Sequence, residues 1–255
     1  MLACVAGRRK NGGAIYELYK NPRSWRKKLY VGTEFYAKIG GWSFDETGER
    51  KSLVFDKCLT TVRVKDGAEK NCELANSGVN LNADEPVQIG EPTGQKCEFC
   101  GCEMLDMLRL KADEPQLAFL NLKHDAIFRC CPTCVGSVMY FCKCGADGEL
   151  QMQCEGEGME KSYFSQQDMT RLSSMKFKLS GEVSPFYGCF SELDTTVGGY
   201  PQWVQDAAYL ACPSCGGTMK HLAQIPFGEL VQGEGVIYVQ ICEKCEVLGG
   251  CFQCT

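Results

Sequence analysis

Cys212-Pro213-Ser214-Cys215-Gly216-Gly217, followed by Met219-Lys220-His221-Leu222-Ala223-Gln224-Ile225, Val236-Ile237-Tyr238-Val239-Gln240-Ile241 and Cys242-Glu243-Lys244-Cys245, is the stretch that organises this chain. Two Cys-x-x-Cys turns flank two β-prone runs, and the long connection from Pro226 to Gly235 is punctuated by glycine. The pattern predicts a hairpin closed at its base by two knuckles, which is the logic of a zinc ribbon. A Cys-x-x-Cys turn sets two thiolates side by side, about as far apart as two vertices of a tetrahedron. A glycine after the second cysteine lets the backbone turn its N–H groups toward sulfur, where they stabilise thiolate charge.

Moving outward, much of this order recurs earlier in the chain. Cys97-Glu98-Phe99-Cys100-Gly101 precedes Leu117–Leu122 and Ala126–Cys130, and Cys131-Pro132-Thr133-Cys134 follows. The intervals are comparable, with 30 residues between Cys100 and Cys131 and 26 between Cys215 and Cys242. Cys131 is preferred over the adjacent Cys130 as ligand, because Cys130 aligns with the apolar strand residue Ile241. Each half then adds a close pair, Cys142/Cys144 and Cys251/Cys254, which are candidates for an additional metal site or buried thiols. These repeats predict an α+β fold of two duplicated β-rich subdomains, residues 1–160 and 161–255, each with a zinc-ribbon-like hairpin. About two zinc ions per chain are expected, and a third if the extra pairs bind; a four-sulfur iron site uses the same ligands.

Elsewhere the sequence predicts strands at Tyr30–Tyr36, Leu53–Phe55, Thr61–Val64 and Val138–Phe141. A helix is expected to open at Ser165, with Asp168 three residues on and Met169, Leu172 and Met175 on its apolar face. The polar, aperiodic segments 66–95 and 145–162 read as connections.

The chain of 255 residues holds 19 cysteines, an odd number, and has a formal charge of −5. Met1-Leu2-Ala3-Cys4 is not preceded by the basic and apolar stretches of a lipoprotein leader, so the expected location is cytoplasmic, where paired cysteines usually bind metal. No apolar run reaches membrane-spanning length. Residues 1–28 carry eight lysines and arginines against Glu17, an RNA-binding arm or a solvated edge. The Cys-Pro-x-Cys pairs resemble redox motifs but lack the following helix that lowers a thiol's pKa. The two histidines, His124 at a predicted turn and His221 beside a strand core position, read as turn or surface residues rather than bases.

Gly198-Gly199-x-Pro201-x-Trp203, together with the two knuckles, Leu222-Ala223-Gln224-Ile225 and Ile237-Tyr238-Val239, is similar to two related groups. One is the YwqG-like family of bacterial proteins, with a duplicated α+β unit. The other is the programmed-cell-death-protein-2-like family, which adds Cys-x-x-Cys pairs and chaperones a newly made ribosomal protein. The resemblance spans residues 197–245 and, more loosely, 97–134; the first half lacks the proline and has Asn121 in place of Gln224. It implies a non-enzymatic binding protein, chaperone-like or immunity-like. The net charge and the acids Glu155, Glu157 and Glu160 suit a basic protein client, held at a strand edge or at segment 149–160. An RNA-binding zinc ribbon or a thiol- or metal-dependent enzyme are the alternatives.

Overall fold

The computed structural model describes residues 37–44, 47–64, 87–145, 148–173, 176–190, 194–230 and 234–254. The chain divides into two compact units, Met1–Ser52 and Leu53–Thr255. In the first, β1 (Trp42–Phe44) and β2 (Arg50–Ser52) form an antiparallel hairpin, with the Arg50 guanidinium 5.0 Å from the centre of the Trp42 ring. The predicted strand at Tyr30–Tyr36 and the basic segment 1–28 lie outside the described residues.

The second unit is built of β3 (Cys58–Val64), β4 (Val87–Gln88), β5 (Glu91–Lys96), β6 (Glu103–Leu110), β7 (Ala126–Cys130), β8 (Val138–Cys144) and β9 (Leu150–Gly156). Beyond the helix α1 (Gln166–Ser173) come β10 (Lys176–Val183), β11 (Thr196–Gly198) and β12 (Lys220–Pro226). A single turn of helix, α2 (Phe227–Leu230), leads to β13 (Val236–Cys242) and β14 (Val247–Gln253). Eight strands join one antiparallel sheet in the order β10-β3-β11-β12-β13-β14-β8-β9, drawing on both sides of residue 160. A smaller antiparallel sheet carries β4, β6 and β5, with β7 also paired to β6.

This architecture overturns the α+β expectation: the described residues are mainly antiparallel sheet, with helix limited to short pieces, residues 37–39, α1, α2 and 3-10 turns. Both polar stretches read as connections contain strands, β4 and the start of β5 in the first and β9 in the second, while residues 66–86 lie outside the described residues. In β9 the alternation of half-buried Leu150, Met152 and Cys154 with exposed Gln151, Gln153 and Glu155 is the period of a strand with one face on the core. The first predicted hairpin also uses different residues. Segment Pro115–Leu120 is a 3-10 turn that begins at proline, with Glu114 capping the Gln116 N–H at 3.1 Å. Its place opposite β7 is taken by β6, whose Met104, Leu105, Met107, Leu108 and Leu110 are buried. The helix α1 opens where expected, with Ser165 and Asp168 bonded reciprocally at 2.6–3.2 Å and Met169 and Leu172 buried.

The β12–β13 hairpin forms as the apolar pattern predicts, and its strands are buried on both faces apart from Lys220. One face meets the main core, where Phe128 lies so close to β14 that a methyl group at Gly250 would sit 2.1 Å from its ring. Across the other face runs an extended strap, residues 201–211. Glutamine and tyrosine side chains hold it in place of a strand ladder. Gln224 accepts from the Gln202 N–H at 2.9 Å and donates to the Gly188 carbonyl at 3.2 Å. The Gln240 amide accepts from the Leu210 N–H and donates to the Ala208 carbonyl, both at 2.8 Å. Gln253 does the same with the Gln205 N–H (3.0 Å) and the Asp206 carbonyl (2.8 Å), and the Tyr238 hydroxyl accepts from the Val204 N–H at 3.0 Å and donates to the Gln202 carbonyl. Buried backbone without a ladder needs such partners, and four side chains supply them.

Candidate metal centres

Four chain reversals of the second unit are the cysteine knuckles. Cys97–Cys100 turns β5 into β6, and Cys131–Cys134 passes the chain from β7 to β8. Cys212–Cys215 follows the strap and precedes β12, while Cys242–Cys245 is the turn between β13 and β14. In the first and third, a backbone bond from the glycine N–H closes the loop: Gly101 to the Cys97 carbonyl at 2.9 Å, Gly216 to the Cys212 carbonyl at 2.8 Å. Both glycines have left-handed φ, 72° and 70°, a conformation costly for a residue with a Cβ. At the Cys242 turn the same bend is carried by Glu246, at φ 57°.

Cys97, Cys100, Cys131 and Cys134 come together, as do Cys212, Cys215, Cys242 and Cys245, with all four sulfurs of each group within 4.8 Å of one another. Sulfur–sulfur separations across knuckles are 3.9 Å (Cys97–Cys134), 3.5 Å (Cys100–Cys131) and 3.7 Å (Cys215–Cys242). A tetrahedron with metal–sulfur bonds of about 2.3 Å has edges of about 3.8 Å, so these groups match a four-coordinate ion and are far too open for disulfides. Backbone N–H groups point at the sulfurs: those of Phe99 and Cys100 at Cys97, of Thr133 and Cys134 at Cys131, of Met159 at Cys134, of Gly217 at Cys215 and of Cys245 at Cys242.

The thiol electrostatics fit the same occupant. Burial pushes Cys134 up to about 11 and Cys242 up to about 12, and holds Cys131 well above its ordinary value. At Cys97 burial is outweighed by the N–H groups of Cys100 and Phe99, and the thiol lies below its usual range. The Gly217 N–H, helped by the neighbouring thiols, lowers Cys215 to about 7. Four thiolates cannot crowd together uncompensated, and a divalent cation removes that conflict by deprotonating its ligands.

The two centres differ in exposure. Cys97, Cys131 and Cys134 are buried and Cys100 half-buried. Over them lies the segment after β9, anchored by Tyr163 to the Pro132 carbonyl at 3.2 Å and by Ser162 to Thr133 at 3.2 Å. In the second group Cys212 and Cys242 are buried, in a small cluster with Phe141, Leu210, Met219 and Val247, but Cys245 is half-buried and Cys215 exposed.

No protein-family profile matches the chain, and no solved structure matches it. Among curated proteins it is similar to the uncharacterized protein YpfL of Salmonella typhimurium, 23% identical over 242 residues, which cover 92% of this chain and 53% of that protein. The chain therefore spans about half the length of the curated relative it matches.

The remaining cysteine pairs enter neither four-sulfur group, and no third group forms among the described residues. Cys142 sits in β8 with its sulfur 3.3 Å from the Arg129 N–H and 3.4 Å from the Arg129 carbonyl, so one thiol serves both backbone groups where β7 and β8 have no ladder. Cys144 closes the same strand, half-buried. Cys251 points toward the strap, 3.7 Å from the Ala208 carbonyl, and Cys254 meets it through its own carbonyl, which accepts from Gln205 at 2.7 Å. Burial pushes Cys142 and Cys251 each up to about 12, the state of an inert thiol. Cys130 is buried in β7 beside the first group, outside it.

His124 is exposed, as a turn residue should be. His221 is not at the surface. It is fully buried beside Trp203 and Tyr238, with ring centres 6.3 Å and 6.4 Å away, and neither ring nitrogen has a hydrogen-bond partner. Trp203 packs with Tyr209 and Tyr238. The strap-holding glutamines Gln240 and Gln253 were the residues sequence reasoning missed; glutamines recurring within apolar strands were the available signal.

Proposed function

We propose that this chain is a non-enzymatic protein-interaction protein whose binding framework is stabilised by two zinc ions. The observation that carries the proposal is the pair of closed four-sulfur groups, each placed where the chain changes direction. Four thiolates occupy every position of a tetrahedral ion, leaving none for a substrate or an activated water, and this is the make-up of structural zinc sites. Iron uses the same ligands, and zinc is preferred because an all-cysteine tetrahedral set is typical of structural zinc. The resemblance to the YwqG-like and programmed-cell-death-protein-2-like groups supports the finer reading, a chaperone-like or immunity-like protein that captures a basic client.

The test is metal content together with its consequence for folding. Protein isolated without added metal should carry about two zinc ions per chain, and Cys212→Ser should remove one and sharply lower the melting temperature. Structural zinc contributes ~10–16 kcal/mol of apparent binding free energy, more than a small domain's net stability. A melting temperature unchanged by Cys212→Ser, or less than one metal per chain, defeats the proposal.

A further inference from the structure

The two edges of the eight-stranded sheet are built differently. At one end β10 is irregular, with its register to β3 shifting between Leu179 and Glu182, and it carries Lys178. Natural sheets blunt their edges with such shifts and with lysines. At the other end β9 has none of these devices. It pairs with β8 in unbroken register over seven residues, from Val138 opposite Gly156 to Cys144 opposite Leu150, and its sequence contains no lysine, arginine or proline. Among the described residues no strand pairs with its outer side. Its inner face is committed to the core through Leu150, Met152 and Cys154, so the strand is held straight from within.

Acids outnumber bases around this open edge, where the exposed Lys143, opposite Gln151, and Lys161 are the nearby cations among the described residues. Glu149, Glu155, Glu157 and Glu160 lie on or beside β9, and Glu98 reaches it at Cys154, with sulfur to Oε1 at 3.6 Å. Apolar surface adjoins them. Met139 stands directly opposite Glu155 and is 36% exposed, while Met159 and Tyr163 just beyond the strand are 45% and 60% exposed. An unblunted row of backbone donors and acceptors favours an incoming strand, and the carboxylates select its charge.

We propose that β9 is a docking edge for an extended, basic segment of a partner protein, which adds to the sheet as a ninth strand. Main-chain hydrogen bonds supply the affinity, and alternate lysine or arginine side chains meet Glu155 and its neighbours. This rests on the interaction-protein reading above and names the surface and the partner chemistry.

The experiment uses the full metal-replete chain and two synthetic peptides, one alternating lysine with valine and one alternating glutamate with valine. Binding is followed by fluorescence anisotropy, and backbone protection by deuterium exchange. The lysine peptide should bind at least tenfold more tightly than the glutamate peptide and should protect residues 150–156. The double variant Gln151→Lys, Glu155→Lys, on the exposed side of β9, should weaken it tenfold or more with metal content and melting temperature unchanged. Equal binding of the two peptides, protection elsewhere, or an unaltered affinity in the variant overturns the proposal. So does concentration-dependent self-association that the same variant abolishes, since the edge would then belong to a second copy of the chain. Failure to bind by a folded protein carrying two metals sinks the edge and leaves the zinc framework standing; a metal-free folded protein sinks the framework itself.

Discussion

Lowering the pH should destabilise this fold through one side chain, His221. Its imidazole is fully buried, neither nitrogen has a partner, and burial lowers it from 6.5 to about 3. From β12 it faces Trp203 of the strap and Tyr238 and Gln240 of β13, none of which brings a charge to stabilise an imidazolium. The folded state therefore holds it neutral, while the unfolded chain takes up a proton below its ordinary pKa. Stability is complete above about 6.5 and declines as the pH falls toward about 3, by ~1.4 kcal/mol per pH unit. By pH 5 the loss from this residue is about 2 kcal/mol, and over the whole range about 5 kcal/mol. Urea unfolding at pH 7 and pH 5 tests it, comparing the native chain with His221→Leu. Both proteins share the cysteine centres, so acid effects on metal binding cancel in the difference. The leucine variant should match or exceed native stability at pH 7, because it removes an unpaired buried polar group costing ~1–3 kcal/mol. The gap should widen by about 2 kcal/mol at pH 5. Parallel pH dependences would refute the reasoning.

The second metal centre should yield to a chelator first, since Cys215 is exposed while three ligands of the first centre are buried. Stopped-flow chelation of Cys212→Ser and Cys97→Ser, each left with one intact centre, should give faster release from the protein retaining Cys212–Cys245. Gly250→Ala should cost about 1–3 kcal/mol by driving a methyl group into the Phe128 ring, read as a lowered urea midpoint with unchanged slope. Combining it with Phe128→Leu should recover part of that loss. Gln240→Leu strands the Leu210 N–H and Ala208 carbonyl, and should destabilise by about 3 kcal/mol while speeding amide exchange at Leu210.

The cysteine groups were legible because knuckle geometry is local: two residues between thiols determine where both sulfurs point. The β12–β13 hairpin was legible for a similar reason, as its apolar runs end at a glycine-rich turn. The surroundings were not, because they depend on which distant segments cover a strand. His221, Gln224, Gln240 and Gln253 look like the wet side of a strand, yet the strap buries them all. The bulge between His221 and Ala223 also breaks the simple alternation that would have told the faces apart. The strand content was underestimated because polar edge strands such as β9 offer few apolar residues to count.

The two centres are alike in ligands and unlike in surroundings. Around the first centre the order is β5, knuckle, β6, then β7, knuckle, β8; around the second it is strap, knuckle, β12, then β13, knuckle, β14, and in both the inner strands pair, β6 with β7 and β12 with β13. They diverge after the last knuckle. At the second centre the chain folds back, so β14 pairs with β13 and the centre closes a hairpin onto the end of the strap. At the first centre β8 leaves β7 and joins β14 in the other sheet, with the Cys142 thiol satisfying the backbone at the point of departure. The first centre therefore ties the smaller sheet to the larger one, directly behind the β8–β9 hairpin. The second secures the strap over the buried glutamines. A sheet edge offered to a partner needs a rigid strand, and β9 depends for this on the first centre, whose covering segment begins where β9 ends.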